Sequence, residues 1–150
     1  MTQLVREPLP DTRKAVTRRF QLPHRRDVIK QVVGVCPNCG KQHTQFTIES
    51  VVEIMKIYFV VGLYDDGRPG EIFIKADRSG SLASGALDAV AMTISIALQY
   101  GIPLGVLIDK LRGSQFPPEG FTQDGEFPRA SSVLDLLARW LLKMFPDQAA

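Results

Sequence analysis

The sequence lacks a long uninterrupted hydrophobic run, and this absence limits the classes of protein that we expect it to belong to. Its longest apolar stretches, such as Ile94–Leu98, are far shorter than the roughly 20 residues that a membrane-spanning helix needs. Met1–Phe20 is polar and basic, so it has no apolar segment of the kind that export signals carry. We therefore expect a cytoplasmic protein that has no membrane partner.

Internal repeats and low-complexity tracts are also absent. Apolar residues make up 45% of the 150 residues and charged residues make up 23%, which is typical of soluble globular domains. A chain of this length can bury one hydrophobic core but is short for two. We therefore expect one globular domain overall.

Cysteine and histidine are scarce, with two of each, and all four lie between residues 24 and 43. Cys36 and Cys39 form a CxxC turn that points two thiolates at one place, and Gly40 lets the backbone curl around them. This is half of a zinc ribbon, whose second CxxC is missing. Adding His24 and His43 completes a tetrahedral Cys₂His₂ set, so zinc is the cofactor that the cluster predicts. The residues alone also allow a redox-active dithiol or two plain reduced cysteines in a turn.

The net charge of +2 is unevenly distributed along the chain. Residues 1–30 contain eight Lys or Arg and three Asp or Glu, which gives +5 for this stretch and −3 for the rest. A basic segment of this kind is compatible with a phosphate-bearing partner, such as a nucleic acid, or with an acidic protein surface. A solvated basic strand or loop explains it equally well. The candidate binding residues are Arg13, Arg18, Arg19, Arg25 and Arg26.

The chain divides into three predicted segments. Residues 1–26 form a basic arm that contains three prolines and one short strand, Ala15–Leu22. Residues 27–56 form an insertion that carries the CxxC knuckle, and the valines of Asp27–Val35 lie near helical spacing. Residues 57–145 form an α+β module.

The module has the clearest pattern. Lys56–Tyr64 and Glu71–Ala76 are rich in β-branched and aromatic residues and flank an Asp-Asp-Gly-Arg-Pro-Gly turn, which predicts a β-hairpin. Arg78–Ser81 then offers a helix cap or, through its backbone amides, a phosphate cradle. Three helices are predicted, at Leu82–Tyr100, Leu104–Leu111 and Ala130–Phe145. The predicted fold class is α+β, with a small antiparallel sheet built around a β-hairpin and helices packed on one face.

Five segments of the chain follow one another in a recognisable order. Arg6–Arg13 has the pattern R-x-x-L-P-D-x-R, Val61–Ile74 holds the hairpin, and Ala130–Leu141 holds a helix ending in R-W-L. The other two segments are Ile96–Leu104 and Phe116–Thr122. In this order they are similar to the C-terminal module of adenosylcobalamin-dependent (class II) ribonucleotide reductases. That module is also called the TSCPD domain, after a signature motif that this sequence lacks.

The resemblance implies a family that makes deoxyribonucleotides, but it does not imply that this chain has the family's activity. Ribonucleotide reduction there needs a cysteine that carries a thiyl radical, a further cysteine pair and a carboxylate, in a catalytic barrel that the matched segments do not include. The sequence has two cysteines, three positions apart. The family's activity is ribonucleoside-diphosphate reductase, but we expect no catalysis by this chain alone and no cobalamin on it.

The sequence is consistent with three functions. The first is a non-catalytic accessory module that binds a protein partner, such as a ribonucleotide reductase large chain. The second is a zinc-stabilised domain that binds nucleic acid or nucleotides through residues 6–30. The third is a dithiol-carrying subunit in which Cys36 and Cys39 feed electrons to a reductase. Zinc held at these two thiols would argue against the third function.

Overall fold

Five strands and four helices follow one another within the residues that the computed structural model describes, 4–77 and 82–149. The predicted Arg78–Ser81 segment lies outside the described residues. The strands are β1 (Ala15–Val35), β2 (Gln42–Leu63), β3 (Pro69–Ala76), β4 (Gly120–Phe121) and β5 (Arg129–Ala130). The helices are α1 (Leu82–Gln99), α2 (Leu104–Leu111), α3 (Val133–Met144) and α4 (Pro146–Ala149).

The larger sheet is antiparallel and has the strand order β1-β2-β3. β2 and β3 form the hairpin that the sequence predicts, with Val61 opposite Ile72. In its turn the backbone N–H of Tyr64 donates to the carbonyl oxygen of Arg68 at 2.8 Å. Gly67 takes a left-handed conformation with φ of 86°, which glycine adopts without the steric cost of a side chain.

Helices α1 and α3 pack against one face of this sheet, and α2 packs against α3, so the predicted α+β class is confirmed. Successive strand residues point to opposite faces, and at the end of the sheet next to the helices seven strand side chains that point to one face are buried. These strand residues are Phe20, Leu22, Ile57, Phe59, Val61, Ile72 and Ile74. The helices contribute Leu87, Ala91, Ile94, Leu98, Leu104, Ile108, Leu136, Leu137, Trp140 and Leu141.

β1 and β2 continue far beyond the sheet as a two-stranded ribbon. We define the ribbon as residues 23–35 and 42–54, which pair in one uninterrupted antiparallel register. Asp27–Val35 is therefore strand, and the helical spacing of its valines is misleading. β-branched side chains favour extended backbone, and pairing with β2 supplies the hydrogen bonds that a helix would otherwise make.

The segment predicted as an arm is tied to the module. Its second half is part of β1, and Phe20 and Leu22 lie in the core with exposures of 1% and 0%. Its first half is held by Glu7, whose backbone N–H donates to the carbonyl oxygen of Gln99 at 2.8 Å. The hydroxyl of Tyr64 donates to the carbonyl oxygen of Glu7, also at 2.8 Å.

Helix α1 is long and apolar enough, by length and composition, to cross a membrane. Leu87, Ala91, Ile94 and Leu98 of this helix belong to the core cluster described above. A buried core helix passes the same length and composition test, so these features of α1 are weak support for a membrane span.

The loop between β4 and β5 is closed by Asp124. Its carboxylate accepts hydrogen bonds from Nη2 of Arg18 at 2.6 Å and from the backbone N–H groups of Glu126 and Phe127 at 2.9 and 3.2 Å. Burial alone would raise the pKa of Asp124, but the hydrogen bonds outweigh it and the pKa is lowered. A carboxyl group with a lowered pKa stabilises the fold at pH values above its unfolded-state pKa. This stabilisation is lost as the pH falls through the folded-state pKa.

We therefore expect Asp124→Asn to lower the free energy of unfolding at neutral pH by about 1–2 kcal/mol. Acidification below about pH 4 should lower the free energy of unfolding of the wild type more than that of the variant, because only the wild type has this carboxylate to protonate. Urea unfolding at neutral and acid pH measures both effects. Asp109→Asn, at an exposed position of α2, is the matched control and should change neither value by more than about 0.5 kcal/mol.

Candidate metal centre

The turn at the tip of the ribbon brings the two cysteines together. β1 ends at Val35 and β2 begins at Gln42. Between them the backbone N–H of Cys36 donates to the carbonyl oxygen of Lys41 at 2.9 Å, and the N–H of Gly40 donates to the carbonyl oxygen of Cys36 at 2.8 Å. Gly40 has φ of 69°, so the predicted reason for a glycine at this position holds.

Three metal-ligating side chains meet at this tip. The ligand atoms of Cys36, Cys39 and His43 all lie within 4.8 Å of one another, and Sγ of Cys39 is 3.0 Å from Nε2 of His43. Both cysteines are free thiols. Backbone hydrogen bonds from Asn38 and Cys39, together with the Cys39 thiol, lower the pKa of the Cys36 thiol. Two sulfurs and an imidazole are a donor set that suits zinc.

His24 is not brought to this cluster. It lies within β1 opposite Glu53, and the twelve extended residues that separate it from Cys36 span about 40 Å. Its Nδ1 atom is buried and has no hydrogen-bond partner among the described residues. The sequence contains two histidines and two cysteines, so the tip has three such ligands from this chain, and a fourth ligand would be water or a group from elsewhere.

The five arginines predicted to bind a partner fall into two groups. Arg19 and Arg25 are exposed and form no ion pair with the described residues. The other three are already paired with carboxylates inside the fold. Arg13 pairs with Glu71, Arg18 pairs with Asp124 at 2.6 Å, and Arg26 pairs with Glu53 at 2.8 Å.

The face of the three-stranded sheet that the helices do not cover forms a second candidate surface. In the register, Arg19 lies opposite Tyr58, and Val60 lies opposite Phe73. Lys56 follows on the same face of β2. Phe73 is 42% exposed. We call these five residues the open sheet face, and it combines two positive charges with two aromatic rings.

The ribbon has one apolar face, which the sequence predictions do not include. Phe46, Ile48, Val52 and Ile54 recur with a period of two on β2, and this alternation is the signal that would have found the face. We define the apolar face as the exposed large apolar side chains that point to this side of the ribbon. They are Ile29, Val33, Val35, Phe46, Ile48, Val52 and Ile54.

Comparison with known proteins identifies one family model. The TSCPD domain matches residues 37–145, a range that includes Cys39 and His43 and ends with helix α3. No solved structure matches the chain.

Three curated relatives are each called vitamin B12-dependent ribonucleotide reductase. The Rhodopirellula baltica protein is 36% identical over 136 residues, which cover 91% of this chain and 10% of the relative. The Streptomyces coelicolor protein is 31% identical over 134 residues, covering 87% of this chain and 14% of the relative. The Agrobacterium fabrum protein is 31% identical over 140 residues, covering 93% of this chain and 11% of the relative. The chain therefore spans only a tenth to a seventh of the length of these relatives.

Proposed function

The chain belongs to the TSCPD domain family, and from this premise we propose that it is a non-catalytic accessory module that binds a ribonucleotide reductase chain in the cytoplasm. One observation carries the proposal. The match covers 91% of this chain but only 10% of the Rhodopirellula baltica reductase, so the relative holds a similar module beside a much larger remainder. We infer that the partner of this module is a chain that resembles such a remainder.

The cysteines support the proposal that this chain is not catalytic by itself. The resemblance implies that reduction of a ribonucleotide needs a radical-bearing cysteine in addition to a cysteine pair. The sequence has only Cys36 and Cys39, and both lie in the tip turn of the ribbon. Deoxyribonucleotide synthesis would then be served through the partner chain, which would hold the substrate and the cobalamin.

The open sheet face is the surface that fits such a partner. Arginine and aromatic side chains are enriched in the cores of protein interfaces, and Arg19, Tyr58 and Phe73 supply both kinds beside Lys56. The positive charges of Arg19 and Lys56 suit an acidic region of the partner.

Zinc at the tip is the second part of the proposal. Cys36, Cys39 and His43 would hold the ion, and zinc bound there would tie together the ends of the two ribbon strands. Such a site would occupy both thiols and so would remove them from electron transfer.

The two alternative functions differ in their support. A nucleic-acid partner would need free positive charge, yet three of the five candidate arginines already pair with carboxylates. The dithiol function has one observation in its favour, since Cys36 and Cys39 are both free and adjacent in space. Measurement of bound metal separates the dithiol function from the zinc site.

Affinity purification of the tagged chain from its native host tests the partner. We expect a ribonucleotide reductase chain to co-purify, and we expect the double variant Arg19→Glu with Phe73→Ala to reduce its recovery at least about tenfold. The matched control is Arg129→Glu with Phe121→Ala, which makes the same two changes at an exposed pair elsewhere.

Two outcomes would contradict the proposal. One is recovery of nucleic acid or of unrelated proteins without any reductase chain. The other is an equal loss of the reductase in both double variants, which would show that the open sheet face is not the contact surface.

A further inference from the structure

We propose that the apolar face of the ribbon packs against the same face of a second copy of this chain, forming a dimer with two-fold symmetry. This contact goes beyond the proposed function, because it joins two copies of the module and does not use the open sheet face. It is an isologous contact, in which the same patch serves both partners.

The two faces of the ribbon differ sharply in chemistry. All but one of its exposed large apolar side chains lie on the apolar face, and Phe46 and Ile48 are 71% and 74% exposed. The opposite face carries ion pairs between Arg26 and Glu53 and between Lys30 and Glu49. One face is therefore suited to water and the other to burial.

An uncovered ribbon of this kind is unfavourable alone. A two-stranded hairpin is marginally stable in water unless its hydrophobic face is covered, and soluble monomers rarely leave a large contiguous apolar patch exposed. Over most of its length the apolar face contacts no other element among the described residues. We therefore expect another molecule to cover the apolar face.

The size of the face is sufficient for a dimer. Its seven side chains are between 49% and 74% exposed. Together they offer roughly 500 Å² of apolar surface per copy, so two copies would bury roughly 1,000 Å² before the polar rim is counted. Specific protein interfaces begin at about this total.

The charges on the face favour a second copy over a strongly charged partner. Within the ribbon, Arg25 and Asp27 are the charged residues on this side, and they cancel. Ser50 also donates a hydrogen bond to the Asp27 carboxylate at 2.6 Å. Two identical faces can therefore meet without bringing a net like charge together.

The position of the two-fold axis follows from the register. Ile29 and Ile48 lie directly opposite each other, and Ile29 is six residues from Pro23 at the base of the ribbon and six from Val35 at its tip. A two-fold axis that lies between the two copies and runs across the strands through this isoleucine pair places the tip of each ribbon over the base of the other.

The base of the ribbon has a cleft in the right place to receive that tip. Its volume is about 510 Å³. Its walls are formed by Pro23, Arg25, Asp27, Val52, Pro117, Pro118 and Glu119. On the two-fold arrangement, Val33 and Val35 of one copy enter the cleft of the other, and the prolines and Val52 provide apolar contacts for them.

Sedimentation of the full-length chain over a range of micromolar concentrations tests the dimer. We expect the wild type to be dimeric, and we expect Ile48→Lys to weaken the dimer about a hundredfold because two lysines would meet at the axis. Gln45→Lys adds the same charge three residues away on the opposite face and should leave the dimer intact.

A mixing experiment guards against trivial loss of folding. Ile48→Lys and Ile48→Glu should each be monomeric alone, and an equal mixture should recover the dimer because residue 48 meets itself at the axis. A monomeric wild type, a dimeric Ile48→Lys variant or a mixture that stays monomeric would each overturn the proposal. If the wild type is monomeric and Ile48→Lys reduces recovery of the reductase chain, the apolar face would be a contact surface for that chain instead.

Discussion

Replacing Phe20 with alanine should lower the free energy of unfolding by about 3–5 kcal/mol, the range found for aromatic side chains removed from a core. Phe20 is 1% exposed, and its ring centroid lies 5.4 Å from that of Phe59 and 5.8 Å from that of Phe127. The ring of Phe59 is in turn 5.8 Å from Trp140. Since a domain of this size has about 5–15 kcal/mol of stability in total, this loss is a large share.

Urea unfolding followed by the fluorescence of Trp140, which is 2% exposed, measures the effect of the Phe20 change. Phe121→Ala is the matched control, because Phe121 is 76% exposed and should contribute less than about 0.5 kcal/mol. The experiment also shows whether the core needs residues 1–26. If Phe20→Ala were as mild as the control, the segment would be an arm that the core does not need.

Replacing both Cys36 and Cys39 with serine should reduce bound zinc from about one equivalent to none. His43 alone cannot hold the ion at low metal concentration, and we expect the affinity to fall at least about a thousandfold. Elemental analysis of protein purified without added metal, with competition by a chelator, gives the content and the affinity. Asn38→Ser lies in the same turn, keeps all three ligands, and should retain the metal.

The outcome of the metal measurement separates two functions. Zinc in the wild type and in Asn38→Ser, but not in the double serine variant, supports the tip site. A wild-type chain without bound zinc, whose two thiols oxidise reversibly to a disulfide, would contradict the zinc site and favour the dithiol function.

The hairpin and the helices were predictable because their signals are local. The Asp-Asp-Gly turn lies between two alternating segments, and each helix shows its own periodicity. β1 was harder to predict because strands of five or six residues are typical, whereas this strand has 21. Pro23 suggests a break within it. β1 lies at the edge of the sheet, where a proline is tolerated because it does not remove an inner hydrogen bond.

The candidate site was only partly predictable for a related reason. Cys36, Cys39 and His43 are close in sequence, and one turn brings them together. His24 was predicted to join them, but a continuous strand carries it away from the tip. The partners of Arg13 and Arg18 are 58 and 106 residues distant in sequence, so nothing local indicates that these arginines are already paired.

Calorimetric titration of the purified chain with a purified ribonucleotide reductase chain measures the proposed binding itself. We predict saturable binding of the module to the reductase chain from the same host. The affinity should fall at least about tenfold with Arg19→Glu and Phe73→Ala and should be unchanged with Arg129→Glu and Phe121→Ala. Failure of the wild-type chain to bind that reductase at any accessible concentration would show that it is not a reductase-binding module.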